Sequence, residues 1–153
     1  MPQKVRKEMK LAEMLSCYDF ESIDPRITEH FEQDVEFPLS VENSVNTVGY
    51  TGGRTTGVEA LAECEKSRHR PLNLKQVLYH GSDIIQSGGN IIVLGYYFQD
   101  PQNRKWYCPY ITQAAGRRRL ELIPLDSPIP DGSGFLFAYE REGKPFDMVF
   151  GGR

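Results

Sequence analysis

Long apolar runs, paired cysteines and metal-binding patterns are all lacking in this sequence of 153 residues. The longest apolar stretch, Ile91 to Phe98, is far shorter than the ~20 residues that cross a bilayer. Cys17, Cys64 and Cys108 are widely separated, and no Cys-x-x-Cys or Cys/His cluster has zinc-site spacing. Reduced thiols in a cytosolic protein are the favoured interpretation. We therefore expect a cytoplasmic chain with no metal ion, no cofactor and no membrane partner.

An excess of one charge is also lacking. Lys plus Arg number 18 and Asp plus Glu number 21, which gives a formal net charge of -3. A mildly acidic chain has no general attraction to nucleic acid, so we expect no nucleic-acid partner. The run Arg117 to Arg119 is the one basic cluster. It could bind a carboxylate or phosphate, although a solvated strand end is the commoner role.

Known catalytic and phosphate-binding motifs are lacking as well. The sequence contains no Gly-x-Ser-x-Gly, His-Glu-x-x-His or Cys-His pattern. Neither Gly88-Gly89 nor Gly151-Gly152 precedes a helix with Lys or Ser/Thr, so neither is a phosphate loop. With 39% hydrophobic and 25% charged residues, the composition is that of an ordinary globular domain.

The first half of the chain has helical periodicity. Residues 7–19 place apolar side chains three and four positions apart, which predicts an amphipathic helix. Asp24-Pro25 is typical of an N-cap followed by the first helical residue, and predicts a second helix over residues 24–30. Thr56 predicts the cap of a third helix over residues 56–69.

From Leu74 onward the apolar pattern changes to alternation, which is typical of strands. Turns are predicted at Gly88-Gly89-Asn90, at residues 100–103 and at Ala115-Gly116. Pro109 cannot donate to a ladder, so we expect it at a bulge or a sheet edge. Short turns between strands indicate an antiparallel meander. Strands are predicted at residues 35–39, 74–80, 91–98, 105–113 and 118–125, with a hairpin at 135–139 and 146–150, and residues 42–56 read as a hairpin or irregular loop.

Three local segments occur in an informative order. Ile27 to Phe37 (ITEHFEQDVEF) ends a helix in an aromatic residue before an acid and a strand. Thr56 to Leu61 (TGVEAL) opens a helix with glycine, and Gly116 to Asp126 (GRRRLELIPLD) is a glycine turn with a closing strand. Together they resemble the nuclear transport factor 2-like superfamily, and within it the SnoaL-like group, over residues 9–126. The resemblance implies an α+β fold, a cone-shaped roll in which three N-terminal helices pack in a strongly curved, mostly antiparallel sheet around an apolar pocket.

On this resemblance, residues 1–126 form the cone domain. Residues 127–153 are then a C-terminal extension, which is an added hairpin, a lid or a dimer arm. The two-sided apolar pattern of residues 91–98 fits burial on both faces, so we expect a homodimer through the sheet face. A small lipocalin-like barrel would explain the meander but not three early helices.

Enzymes of the superfamily use a carboxylate or His as a base in an apolar cavity, aided by Tyr hydroxyls. His80 is the best candidate for the base. Tyr18 matches a pocket tyrosine on the first helix of the ketosteroid-isomerase-like members, and Tyr110 is a second hydroxyl donor. Asp126 matches the acid that ends the closing strand and would assist.

Each of these residues also has an ordinary structural interpretation. His80 fits a solvated turn, Tyr18 fits a core aromatic, and Asp126 fits a turn residue. Phe37 replaces the acid that the isomerases carry before a proline, and their second acid would fall near Cys108 or Pro109. Steroid-isomerase chemistry is therefore not supported.

The function implied is that of a small-molecule protein. We predict a cofactor-free lyase, isomerase or cyclase that acts on a cyclic apolar or aromatic substrate by proton transfer. The alternative is a non-catalytic ligand-binding or protein-interaction module of the same fold. The side chains expected to contact the ligand are Phe37, Tyr50, Leu78, Tyr96, Trp106 and Cys108.

Overall fold

The computed structural model describes residues 4–31, 45–49 and 55–139 of the chain. These residues form five helices and one sheet of eight strands. The helices are α1 (Leu11–Ser16), α2 (Pro25–His30), α3 (Gly57–Ser67), α4 (Leu74–His80) and α5 (Ser82–Gln86). The strands are β1 (Ser22–Ile23), β2 (Val45–Gly49), β3 (His69–Pro71), β4 (Asn90–Ile92), β5 (Phe98–Gln99), β6 (Trp106–Ala114), β7 (Arg117–Pro124) and β8 (Ser133–Tyr139).

The sheet is mixed, and most of its pairings are antiparallel. Its order is β1-β7-β6-β4-β8-β2, with β3 beside β8 and β5 beside β6. The β1–β7 and β4–β8 pairs are parallel. The other described pairings are antiparallel. The predicted α+β class is therefore confirmed.

Successive side chains of a strand point to opposite faces, and here both faces are apolar. On one face, Ile91, Ile111 and Leu136 join a buried cluster with α1, α2, α4 and α5. On the other, Ile92 and Phe135 join a second cluster with α3. We call these the α1 face and the α3 face. The chain's own helices account for the two-sided apolar strand, and the homodimer stays a prediction.

Side-chain caps fix the starts of two predicted helices. Asp24 accepts a hydrogen bond from the Arg26 backbone N–H at 2.9 Å, and Pro25 is the first residue of α2. The Thr56 hydroxyl accepts from the Glu59 N–H, and the Glu59 carboxylate accepts from the Thr56 N–H, which closes a capping box at α3. Both predictions are confirmed, whereas α1 is shorter than the predicted helix.

Helix α4 corrects the strand that alternation predicted for residues 74–80. The Asn73 side chain accepts from the Gln76 N–H at 2.9 Å, and Gln76 accepts from the Asn73 N–H at 2.8 Å. Val77 and Leu78 follow Leu74 by three and four positions, as on one face of a helix, and both are fully buried. The strand prediction was wrong because a short window fits both periods, and the capping box decides between them.

Pro109 explains why the predicted strand 91–98 is broken in two. In an antiparallel pair of strands, every second pair of opposite residues exchanges two backbone hydrogen bonds, and Val93 and Pro109 are such a pair. The Pro109 carbonyl accepts from the Val93 N–H at 2.8 Å, but its ring nitrogen has no hydrogen to donate back. Strand β4 ends at Ile92, and pairing resumes at Phe98 in β5. Pro109 thus lies in β6, an interior strand, and not at the edge of the sheet. The interruption is in the neighbouring chain, between β4 and β5.

Residues 93–97, which we call the β4–β5 loop, are fastened to the rest of the fold through Gly95. The Gly95 N–H donates to the Leu72 carbonyl at 2.9 Å, and the Leu72 N–H donates to the Leu136 carbonyl at 3.0 Å. A Cβ at position 95 would overlap the Leu72 carbonyl group. Only glycine allows this close approach of two backbones.

Strand β8 lies inside the sheet, although its residues were placed in the C-terminal extension. It pairs with β2, β3 and β4, and Phe135 and Phe137 are fully buried. The boundary predicted at residue 126 therefore does not coincide with an edge of the described sheet. The predicted strands at 35–39 and 146–150 lie outside the described residues.

Arg26 connects α2 to the turn before β6. Its guanidinium pairs with Asp24 at 2.9 Å and with Asp100 at 3.0 Å, and it lies 5.3 Å from the centre of the Tyr107 ring. Hydrogen bonds from Arg26 hold the pKa of Asp24 below its ordinary value. The pKa of Asp100 is lowered first by the Gln102 backbone N–H and then by Arg26.

This network predicts loss of stability in acid. A carboxylate with a lowered folded-state pKa stabilises the fold above its unfolded pKa of about 4, and that contribution disappears as the pH falls through the folded value. The urea midpoint of the wild type should therefore decline more steeply below about pH 4 than that of Arg26→Gln. Parallel pH profiles for the two proteins would contradict the assignment.

The Gly95 contact predicts a large effect of a small change. Gly95→Ala should lower the free energy of unfolding by about 1–3 kcal/mol, as overpacking does, because the methyl group meets backbone that cannot move aside. Urea titration measures the loss. Gly88→Asn is the control, since Gly88 has a φ of 94° with open space around it and Asn tolerates that conformation. Equal stability of Gly95→Ala and wild type would contradict the contact.

Candidate functional site

The four residues predicted for catalysis do not converge in the fold. Tyr18 is 4% exposed in the cluster on the α1 face, and Tyr110 is 8% exposed in the cluster on the α3 face. His80 ends α4, and Asp126 is exposed just after β7. Because the sheet lies between the two tyrosines, their hydroxyls do not share a pocket.

Tyr18 has a structural use for its hydroxyl. The O–H donates to the Leu78 carbonyl near the end of α4, a position where helix carbonyls lack partners within the helix. The Arg118 guanidinium lies 5.9 Å from the centre of the Tyr18 ring. Burial raises the pKa of Tyr18. The side chain therefore fastens α1 to α4 as a neutral phenol.

Tyr110 is engaged in a similar way on the other face. Its hydroxyl lies 2.8 Å from the Ser133 Oγ in a buried pair that links β6 to β8. Cys64 and Cys108 lie in the same cluster, and burial raises the pKa of Cys64 to about 12 and that of Cys108 well above the ordinary range. These thiols stay protonated, so they are not activated nucleophiles.

The side chains predicted to line a pocket are also divided. Leu78 is fully buried on the α1 face and Cys108 is fully buried on the α3 face. Phe37 and Tyr50 lie outside the described residues. His80 is half-buried at the end of α4, and the centre of its ring lies 4.8 Å from that of Tyr79. A histidine at this position interacts favourably with the negative end of the helix dipole. Tyr96 and Trp106 remain at the surface.

Three exposed apolar residues are connected through Leu125 and a ring contact, and we call Val58, Tyr97 and Trp106 the aromatic patch. They are 52%, 39% and 46% exposed. The Tyr97 and Trp106 rings have centroids 5.7 Å apart and are nearly perpendicular, at 78°. The Leu125 N–H donates to the Trp106 carbonyl at 2.9 Å, and its carbonyl accepts from the Val58 N–H at 3.0 Å. One residue thus positions both sides of the patch.

The broken strand presents these aromatics. Tyr97 belongs to the β4–β5 loop, which leaves the sheet opposite Pro109 and is held by Gly95. Trp106 begins β6 directly after the turn. Tyr96 points away from the patch, with its ring 4.9 Å from that of Phe31, and is 38% exposed. Tyr97 and Val58 were not predicted as site residues. The usable sequence signal for Tyr97 is Pro109, because a proline in a strand indicates a local disruption of the pairing beside it.

A groove of about 510 Å³ lies at the other end of the α3 face, on the β6–β7 hairpin. Arg117 and Arg119 both pair with Glu21, at 3.4 and 2.9 Å. With Glu121 also in the groove, two positive and two negative charges cancel. Oppositely charged side chains therefore neutralise two of the three arginines, and anion binding by the basic run stays a prediction. The groove is lined by Thr112, Ala114, Ala115, Arg117, Arg119 and Glu121.

The described residues hold no cluster of three or more His, Cys, Asp or Glu side chains arranged to bind a metal ion. None of the helices in that part of the chain is long and apolar enough to cross a membrane.

No protein-family model, curated protein sequence or solved structure matches the chain. The resemblance to the SnoaL-like group therefore stays a prediction.

The hydroxyl assignments predict stability effects. Tyr18→Phe and Tyr110→Phe should each lower the free energy of unfolding by about 1 kcal/mol, because each leaves a buried partner without its hydrogen bond. Tyr97→Phe is the control, since an exposed hydroxyl contributes within about 0.5 kcal/mol. Urea titration of the three variants tests this. A neutral Tyr18→Phe would contradict its structural role.

Proposed function

We propose that this chain is a non-catalytic interaction module that binds a partner at the aromatic patch. The observation that carries the proposal is the exposed, nearly perpendicular pair of Tyr97 and Trp106 at a break in the sheet. Tyr and Trp are the residues most enriched among those that dominate binding energy at interfaces.

The supports beneath the patch favour a binding role. Gly95, Leu72 and Leu136 form a chain of backbone hydrogen bonds from the loop to β8. Aromatic side chains on a fixed backbone lose little conformational freedom on binding, so more of the contact energy appears as affinity. A strand break that displays aromatic residues is a feature often associated with functional surfaces.

The catalytic alternative has less support from geometry. A proton-transfer site needs its base and hydroxyl donors within hydrogen-bond reach of one substrate. Tyr18 and Tyr110 lie in clusters on opposite faces of the sheet. The cofactor-free lyase, isomerase or cyclase activity, the cone-shaped roll, the homodimer and the cytoplasmic location stay predictions.

Selection from a library of random 12-residue peptides displayed on phage tests the proposal. We expect peptides that bind the wild type and fail to bind a Tyr97→Ser/Trp106→Ser double variant, because the apolar contact area is removed. Tyr96→Ser is the matched control, since Tyr96 is equally exposed but faces Phe31, and it should keep binding.

Urea titration shows whether the double variant remains folded, as substitutions at exposed sites should allow. Peptides that bind the wild type and a folded double variant equally, or the recovery of no binding peptide, would overturn the proposal.

A further inference from the structure

We propose that the aromatic patch binds a short proline-rich segment in the polyproline II conformation, with an acidic residue next to the prolines. This inference rests on the proposed function and names the chemistry of the partner. Its support comes from the size of the patch, the angle between its rings, its free donors and the charges beside it.

The patch is too small for a stable contact between two copies of this chain. Exposed fractions of 39% and 46%, on aromatic side chains of roughly 200 Å² each, leave about 170 Å² on Tyr97 and Trp106. Val58 is a smaller side chain and keeps the total below about 300 Å². A specific protein interface buries about 800 Å² on each partner. The area therefore suits a short segment.

The angle between the rings suits a proline side chain. The Tyr97 and Trp106 planes meet at 78° with centroids 5.7 Å apart, so they form two walls of a corner. The pyrrolidine ring is flat, apolar and rigid, and a polyproline II helix has three residues per turn, which brings every third side chain to the same side. Aromatic-lined surfaces recognise such segments because little conformational entropy is lost on binding.

The polar tips of the two aromatics complement the ligand backbone. Among the described residues, neither the Tyr97 hydroxyl nor the Trp106 indole N–H has a hydrogen-bond partner. A polyproline II segment has no internal hydrogen bonds, so its carbonyls are available as acceptors. Two free donors on apolar rings match an apolar ligand with exposed carbonyls.

The same polar groups argue against a sugar, which also stacks on tryptophan. A sugar presents many hydroxyls that each donate and accept, and side-chain amides are the groups that match both roles at once. The amides next to the patch are already used. The Gln99 side chain donates to the Arg104 carbonyl at 2.9 Å, and the Asn103 side chain donates to the Tyr107 hydroxyl at 2.8 Å.

The charges beside Trp106 select the flanking residue of the ligand. Arg104 and Lys105 directly precede Trp106, are exposed, and take part in no ion pair with the described residues. Asp126 follows Leu125. Because Tyr107 lies opposite Pro124 and Trp106 lies opposite Leu125, the same register places Asp126 next to Lys105. Two positive side chains and one negative side chain therefore adjoin Trp106, and this end of the patch attracts a ligand with an acid next to its prolines.

Trp106 is the only tryptophan of the chain, so its fluorescence reports directly on the patch. The probes are three acetylated, amidated decapeptides: one with a Pro-x-x-Pro core flanked by Glu, one with the prolines changed to Ala, and one with Glu changed to Lys. We expect the first to shift the emission and to protect Trp106 from acrylamide quenching, the second to have no effect, and the third to bind at least about threefold more weakly.

Variants are measured by calorimetry with the first peptide. Tyr97→Ala should weaken binding about tenfold or more, and Tyr96→Ala should leave it within about twofold, because Tyr96 faces Phe31. Lys105→Glu should reverse the preference between the Glu and Lys peptides.

Other outcomes separate this inference from the proposed function. Equal binding of the proline and alanine peptides, or a response to maltohexaose in place of the peptides, would overturn the inference. Recovery of phage peptides without proline would also overturn it while leaving the interaction module in place. An absence of any binding peptide in both experiments would overturn both.

Discussion

The missing N–H of Pro109 is the constraint on which the position of the aromatic patch depends. An interior strand normally exchanges backbone hydrogen bonds with both neighbours, and here one bond toward β4 cannot form. The neighbouring chain leaves the sheet at that point and returns five residues later as β5. Without that interruption, Tyr97 would continue a regular strand beside β6. A single covalent feature of one residue thus decides where the surface aromatics are placed.

The sheet also prevents side chains on its opposite faces from forming one site. Both of its faces carry apolar clusters that the chain's own helices cover. Tyr18 and Tyr110 look equivalent in the sequence, but they lie on opposite faces of the sheet. Each hydroxyl makes a hydrogen bond inside the protein. Polar groups are therefore used to fasten elements together in the interior. Among the described residues, Tyr97 and Trp106 keep polar groups without a hydrogen-bond partner at the surface beside Leu125.

Local signals predicted local structure well. Asp24-Pro25 and Thr56 mark the starts of α2 and α3, and Ala115-Gly116, with φ values of 53° and 78°, turns β6 into β7. The failures are of two kinds. Helix α4 was predicted as a strand because its seven residues fit both the helical period and the alternation of a strand. The separation of Tyr18 from Tyr110 was missed because alternation gives a residue's face only relative to its own strand, and long-range pairing then decides which helices cover that face.

Strand β8 has a consequence for the order of events during synthesis. Among the described strands, β2 and β3 pair with β8 alone, although they precede it by more than sixty residues. Neither can form its ladder until the chain is complete to about residue 139. Pairing across such long stretches of sequence is slow, and it leaves strand edges exposed in the meantime. A nascent chain of this protein would therefore carry open edges at β2 and β3 until β8 has left the ribosome.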